Sequence, residues 1–133
     1  MKPIVWKLLP LAPHKYISYI IIHFDMNNAS KKAIRQLILI GRDRETAKLL
    51  QQAERMLNQS YQEGETTTDR FWKLQEWMHK KGKYMVNKYD CPNDCLDLLV
   101  TRLFNEGFVK ANDEPMTEEI EDTINRLSTL IQR

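Results

Sequence analysis

Two cysteines near the middle of the chain are the residues best suited to covalent or metal chemistry. Cys91 and Cys95 lie in YDCPNDCL, with three residues between them, beside a predicted helix start. A helix dipole there would acidify a thiol, and two thiolates would supply two of the four ligands of a zinc site. Asp90 and Asp94 oppose this, because neighbouring negative charge disfavours a thiolate. We favour structural cysteines and keep the metal site and the redox pair as alternatives.

The sequence contains none of the common catalytic motifs. Its histidines, His14, His23 and His79, are not paired in a recognisable motif, so the cysteines gain no partner for a zinc site. Neither G-x-S-x-G, H-E-x-x-H, a Walker A loop nor G-x-G-x-x-G occurs, which removes the usual support for a hydrolase, a zinc protease or a nucleotide-binding enzyme. We therefore predict a protein that is not an enzyme, with no catalytic residue, cofactor, metal or small-molecule substrate.

Lysines and aromatic residues are interspersed along the segment 70–88, which is predicted to be helical. Lysines can neutralise phosphates while aromatic rings stack on unpaired bases, so this face could bind nucleic acid, or it could bind an acidic protein. The alternative is a solvated lysine face with aromatic side chains at its border. Arginine, the usual reader of base edges, is nearly absent from it. The candidate binding face consists of Lys73, Trp77, Lys80, Lys81, Lys83, Tyr84 and Lys88.

Charge is unevenly distributed along the chain, although the formal net charge is only +2. Residues 1–60 carry ten Lys or Arg against four Asp or Glu, and residues 70–89 carry six against one. Residues 90–122 reverse the balance, with two against ten. No whole-molecule field favours nucleic acid or an anionic membrane, but a basic and an acidic side suit partner docking or self-association.

Helical periodicity dominates the chain after residue 26 and predicts five helices with no strand. Capping residues and glycines set the predicted limits. Because the connections are short, neighbouring helices should pack antiparallel, as a compact all-α bundle of four to five helices. The predicted limits are Ser30 to Gly41, Asp43 to about residue 61, about residues 70–88, Cys95 to Gly107, and Thr117 to Ile131.

Apolar residues at helical spacing predict which side of each helix faces the core. Gly82 interrupts one of these stripes, where it is less favourable than Ala by about 1 kcal/mol, and it marks a close helix crossing or a break. The predicted stripes are Ala47, Leu50, Ala53, Leu57 and Tyr61; Phe71, Leu74, Met78, Gly82, Met85 and Tyr89; and Ile120, Ile124, Leu127 and Ile131.

The first two predicted helices also fit a helix-turn-helix, since a short connector containing Gly41 joins them. Arg42 and Arg44 lie near the start of the second helix, where a DNA-reading helix would present them. That helix, however, has a good core stripe and carries acids as well as bases on its outer side. We prefer a simple antiparallel pair of helices here, which needs no DNA.

Residues 1–25 differ from the rest of the chain, being aromatic and β-branched, with three of the five prolines. Their apolar runs are shorter than the roughly 20 residues that a membrane-spanning helix needs. We predict an N-terminal arm or start-site extension over 1–25 and a single helical-bundle domain over 26–133. The candidate association residues of the arm are Val5, Trp6, Leu8, Leu9, Ile20, Ile21 and Ile22.

These features together predict a small, non-catalytic accessory or regulatory protein that binds another protein or a second copy of itself. Segregated charge and an apolar arm motivate this hypothesis, because an apolar patch not covered within one chain is usually covered by another. Two cysteines without a secretory signal favour the cytoplasm. The alternative function is nucleic-acid binding through the face on residues 70–88.

Overall fold

A computed structural model describes residues 27–131, and the predicted arm over 1–25 lies outside the described residues. Within that range every regular element is helical, which confirms the all-α class and fits a four-helix arrangement. The elements are α1 (Asn28–Asn58), α2 (Thr67–Tyr89), a 3₁₀ turn (Asn93–Cys95), α3 (Leu96–Asn105) and α4 (Glu118–Ile131).

Helix α1 is one continuous helix of 31 residues, so the predicted break at Gly41 is wrong. The backbone of Gly41 does not adopt the left-handed conformation of a helix-ending glycine. Its lack of a side chain instead permits close packing, because a Cβ there would lie 3.0 Å from Leu103 Cδ1 and 3.1 Å from Val109 Cγ2. The same continuity rules out both a helix-turn-helix and an antiparallel pair of helices between residues 30 and 61.

The start of α1 is also capped differently from the prediction. The side-chain oxygen of Asn27, rather than that of Ser30, accepts a backbone hydrogen bond at the first turn, from Ser30 N at 2.7 Å. The Ser30 hydroxyl is buried and donates to Glu119 Oε2 at 3.0 Å, which links α1 to α4.

Two predicted helix limits in the second half of the chain are confirmed. Gly107 has φ +86° and ends α3, with Phe108 N donating to Leu103 O at 2.9 Å and Gly107 N to Phe104 O at 3.1 Å. These two bonds form a Schellman motif, which satisfies carbonyls that the helix end leaves open. Thr117 Oγ1 accepts from Ile120 N at 3.2 Å and caps α4.

By its contacts the chain divides into two compact units, and every buried apolar residue in the range 27–131 belongs to the first. The described part of this unit comprises residues 27–41 and 92–131. The predicted stripe of α4 is confirmed except at its end, since Ile131 is exposed. The core consists of Ile34, Leu37, Ile38, Leu99, Val100, Leu103, Val109, Ile120, Ile124 and Leu127.

The second unit, Arg42–Cys91, consists of the C-terminal half of α1, a loop and α2. Contacts at both ends of the helices show that they run antiparallel, because Glu45 bonds to Lys88 while Arg70 bonds to the carbonyl of Leu57. We call this unit the hairpin. No helix in the described range is both long and apolar enough to cross a membrane.

Candidate protein-binding face

A buried ion pair joins the two helices at the open end of the hairpin. Lys88 Nζ lies 2.8 Å from Glu45 Oε1, and the two side chains are only 1% and 8% exposed. Tyr89 donates its hydroxyl to the same carboxylate at 2.6 Å, and the Tyr84 hydroxyl lies 3.3 Å from Lys88 Nζ. Because a buried charge is tolerated only when paired and hydrogen-bonded, this cluster fixes how the helices face each other.

The guanidinium of Arg70 holds the closed end of the hairpin. It donates to the backbone carbonyls of Gln59 and Ser60 in the connecting loop, and it lies 4.0 Å from the centre of the Tyr61 ring. A capping box starts α2, with Thr66 Oγ1 accepting from Asp69 N and Asp69 Oδ2 accepting from Thr66 N, both at 3.0 Å. Hydrogen bonds that the Asp69 carboxylate accepts, first from the Thr66 backbone and then from its side chain, lower the pKa of Asp69.

Glu65 completes the closed end by pairing with two cations. Its carboxylate oxygens lie 2.9 Å from Lys73 Nζ and 2.8 Å from Arg70 Nη2. Hydrogen bonds from Lys73 and then Arg70 lower the pKa of Glu65 from its ordinary 4.5 to about 2. The loop is thus held by charge-assisted bonds from the first two turns of α2, so the hairpin is fixed at both ends.

The contact side of each hairpin helix is set by these end contacts. On α2 the less exposed positions recur at steps of three and four, and on α1 they follow the same spacing from Glu45 onward. This side carries several polar and charged residues, so periodicity of apolar residues alone does not identify it. The buried or half-buried positions are Glu45, Leu49, Gln52, Ala53 and Met56 on α1, and Arg70, Leu74, Trp77, Lys81, Met85, Lys88 and Tyr89 on α2.

Large apolar side chains on an adjacent side of α2 are exposed. Phe71 and Met78 are 59% and 45% exposed and lie seven residues apart, hence nearly in line. Gln75, Gly82 and Val86 continue this line at helical spacing, so no charged residue interrupts it. The core-facing role predicted for Phe71 and Met78 is wrong, because the ion pair and the Arg70 contacts turn a different side of α2 inward.

The second predicted stripe, on α1, is also exposed at its leucines, although Ala53 is half-buried on the contact side. Leu50 and Leu57 are 60% and 54% exposed and also lie seven residues apart. On each helix, these exposed residues lie about 100° around the helix axis from the side that contacts the other helix, in the direction of increasing residue number. In an antiparallel pair this rotation leads to the same side of both helices, so the two leucines lie beside Phe71 and Met78. We call the combined surface the apolar face. Its exposed residues are Leu50, Leu57, Phe71, Trp72, Met78 and Val86.

The seven residues of the predicted Lys and aromatic face do not form one exposed surface. Lys88 is buried against Glu45, and Trp77 and Lys81 are half-buried. The ammonium of Lys81 lies 6.0 Å from the Trp77 ring centre and 5.9 Å from that of Tyr84. Lys73, Lys80 and Lys83 are exposed; Lys73 and Lys80 lie on one side of α2 away from the apolar face, whereas Lys83 lies at its outer edge, on the same side of the helix as Trp72.

Two of those exposed lysines have acidic partners on the hairpin itself. Lys73 pairs with Glu65, and Lys80 Nζ lies 3.1 Å from Glu76 Oε1, four residues earlier on the same helix. Both side chains of the second pair are about 70% exposed, and such a pair contributes little to stability. Basic residues of α1, Arg44, Lys48 and Arg55, are also exposed and fall on the side of the hairpin opposite the apolar face.

The two cysteines are half-buried and not joined in a disulfide. Cys95 Sγ lies 3.8 Å from Asp94 Oδ1, its neighbour in the chain. In the range 27–131 no group of three or more His, Cys, Asp and Glu side chains is placed to hold a metal ion. Cys91 ends the hairpin unit, and Cys95 belongs to the first unit.

The residue that sequence reasoning missed is Glu45, the acceptor at the centre of the buried cluster. Its only sequence signal is its register, since Glu45, Leu49 and Met56 share one side of α1. No protein-family model, curated protein or solved structure matches this chain. Function is therefore inferred from the contacts, burial and charge of the residues described above.

Proposed function

We propose that this protein is a small, non-catalytic accessory or regulatory protein that acts by binding another protein chain through the apolar face. The observation that carries this proposal is the exposure of Leu50, Leu57, Phe71 and Met78 at regular helical spacing on one side of the hairpin. Scattered apolar residues on a surface are ordinary, but a contiguous patch of large ones usually marks an interaction site.

The size of the apolar face suits a protein partner. Six large side chains, each roughly half to two-thirds exposed, present on the order of 600 Å² if a full side chain offers about 200 Å². With an equal area on a partner, the buried surface would reach the roughly 1,000 Å² expected of a specific interface between proteins.

The opposite side of the hairpin supports nucleic-acid binding as a second candidate function. Lysines of α2 and the basic residues Arg44, Lys48 and Arg55 of α1 lie on this side, where they could contact phosphates. Lys73 and Lys80, however, already pair with Glu65 and Glu76, which lowers the positive potential offered to a nucleic acid. We therefore rank this function second, with affinity that would fall steeply as salt rises.

Two further parts of the proposal concern location and the N-terminal arm. We place the protein in the cytoplasm, because its two cysteines do not make a disulfide framework. Residues 1–25 add a second association surface through the apolar side chains named above. Removing them should weaken binding to a protein partner and leave the salt dependence of that binding small.

The test is capture of protein partners from cells that express the tagged full chain, with mass spectrometry of the recovered chains. Met78→Glu places a charge in the centre of the apolar face, and Lys80→Glu is the matched control on another side of the same helix. We expect recovery of a partner chain to be lost with Met78→Glu and kept with Lys80→Glu and after nuclease treatment. If recovery of the partner chain is instead lost with Lys80→Glu and after nuclease treatment, but kept with Met78→Glu, the proposal is refuted and nucleic-acid binding is supported.

A further inference from the structure

We infer that the chain bound by the apolar face is a second copy of this protein, with two hairpins packed face to face as four antiparallel helices. This inference rests on the proposed function and names its partner. Three observations support it: the extent of the face, its two-helix shape, and the charges along its two edges.

The area of the face is sufficient for a dimer of the ordinary kind. Two copies of a face of about 600 Å² would bury on the order of 1,200 Å² in total, above the roughly 1,000 Å² expected of a specific interface. In a two-fold dimer the same patch serves both subunits, so a face that is apolar at its centre meets an identical apolar face. The dimer therefore needs no other binding surface on either copy.

The shape of the face suits another hairpin. Two antiparallel helices side by side form a shallow groove between parallel ridges, and a second pair fills it when each helix lies across from an antiparallel neighbour. Gly82 lies on the α2 part of the face, and a Cβ built there has no atom within 4 Å. Packing within the chain therefore does not require this glycine, whereas its small size lets a facing helix approach closely.

Charges along the edges of the face are complementary in this arrangement. The outer edge on α1 carries Asp43 and Glu54, while the outer edge on α2 carries Lys83, all three exposed. A two-fold axis parallel to the helices places α1 of one copy against α2 of the other, so each acidic edge meets a Lys83. Because Glu45 pairs with Lys88 and the helices are antiparallel, the position of Lys83 along the helix axes falls between those of Asp43 and Glu54.

The experiment is sedimentation equilibrium of the purified full chain over a range of concentrations. We expect a dimer whose dissociation constant rises about 100-fold with Met78→Glu, since it puts a charge into an apolar interface, and is nearly unchanged with Lys80→Glu. Reversal of one edge charge, Glu54→Lys, should weaken the dimer about tenfold. Adding Lys83→Glu to Glu54→Lys should restore much of that loss, because the two reversed charges meet again.

Circular dichroism confirms folding of each variant, and the exposed edge residues keep the test valid if Met78→Glu does not fold. A wild-type chain that stays monomeric at about 100 µM, a level at which even weak specific dimers form, would overturn the inference. So would a dimer indifferent to Met78→Glu, or an edge reversal that Lys83→Glu does not rescue. If the chain is a monomer but still captures a different protein, and Met78→Glu abolishes that capture, only the inference of a dimer is refuted. If the chain is a monomer and captures no protein in a way that depends on Met78, the proposed function is refuted too.

Discussion

Glu45 and Lys88 show how a single buried pair determines which side of a helix faces inward. Their oxygens and nitrogen lie 2.8 and 3.0 Å apart, and Tyr89 donates a further hydrogen bond to the carboxylate. Removing either charge would leave the other buried without its ionic partner, which is far more destabilising than losing an exposed pair. Lys88 is thus a structural residue, although its sequence position suggests a binding face.

A substitution at Lys88 should therefore be much more damaging than one at Lys80. We expect Lys88→Met to lower the free energy of unfolding by about 3 kcal/mol, because it leaves the Glu45 carboxylate buried without its cation. Lys80→Met breaks an exposed pair with Glu76 and should change the free energy by less than about 0.5 kcal/mol. Urea denaturation of both variants at one protein concentration measures the difference, and equal values would contradict the structural role of Lys88.

Glu65 makes the stability of the hairpin depend on acid. Its pKa is lowered from 4.5 to about 2 by Lys73 and Arg70, so the folded chain holds the carboxylate ionised where the unfolded chain would protonate it. The stabilisation is complete above about pH 4.5 and is lost as the pH falls from there towards 2. Glu65→Gln should remove this part of the pH dependence, whereas Glu63→Gln, in the same loop, should keep it. Thermal unfolding across pH 2–5 measures both, and identical profiles would exclude this role.

Helix α1 owes its length to packing at Gly41 rather than to local sequence. A glycine followed by a possible capping residue, Asp43, is a reasonable stop signal, and at Gly107 the same reasoning succeeds. The difference is long-range, because Gly41 lies against the buried Leu103 and Val109 and its missing side chain makes room for them. Nothing local in the sequence reports such a contact.

Two glycine substitutions should separate these roles. Gly41→Ala adds a Cβ about 3 Å from buried side chains, and we expect it to lower the free energy of unfolding by about 1 kcal/mol despite the better helix propensity of Ala. Gly82→Ala meets open space within the chain and should raise it by about 1 kcal/mol. Denaturation at a protein concentration too low for dimers to form measures both free energies of unfolding. Stabilisation by Gly41→Ala would show that the contact with Leu103 is loose.

The helical stripes show what apolar periodicity alone can predict. In α4 the stripe is uninterrupted, and Ile120, Ile124 and Leu127 are buried as expected. In the hairpin an equally regular stripe is exposed at Phe71 and Met78, because polar contacts at the hairpin ends select the neighbouring side. Periodicity identifies an apolar side, but the element that covers it is a tertiary property, and for the hairpin we assign that role to another chain.

At the scale of the whole molecule, the hairpin presents two chemically distinct sides. One is apolar and centred on Met78, and the other carries Lys80 and the basic residues of α1. Sequence periodicity predicted a lysine face on α2, of which Lys73 and Lys80 are exposed on one side, and it assigned the apolar residues Leu50, Leu57, Phe71 and Met78 to the interior. We therefore propose that association proceeds through the side of Met78, with burial of apolar surface as its driving force.

Site-specific photocrosslinking shows which of these two sides contacts another protein chain. A benzophenone amino acid is placed at position 78 of the full chain, and at position 80 in the matched control, before irradiation in intact cells. We predict protein adducts from position 78, including one with twice the mass of this chain, and none from position 80. Adducts from position 80 alone, or none from position 78, would show that association does not proceed through the apolar face.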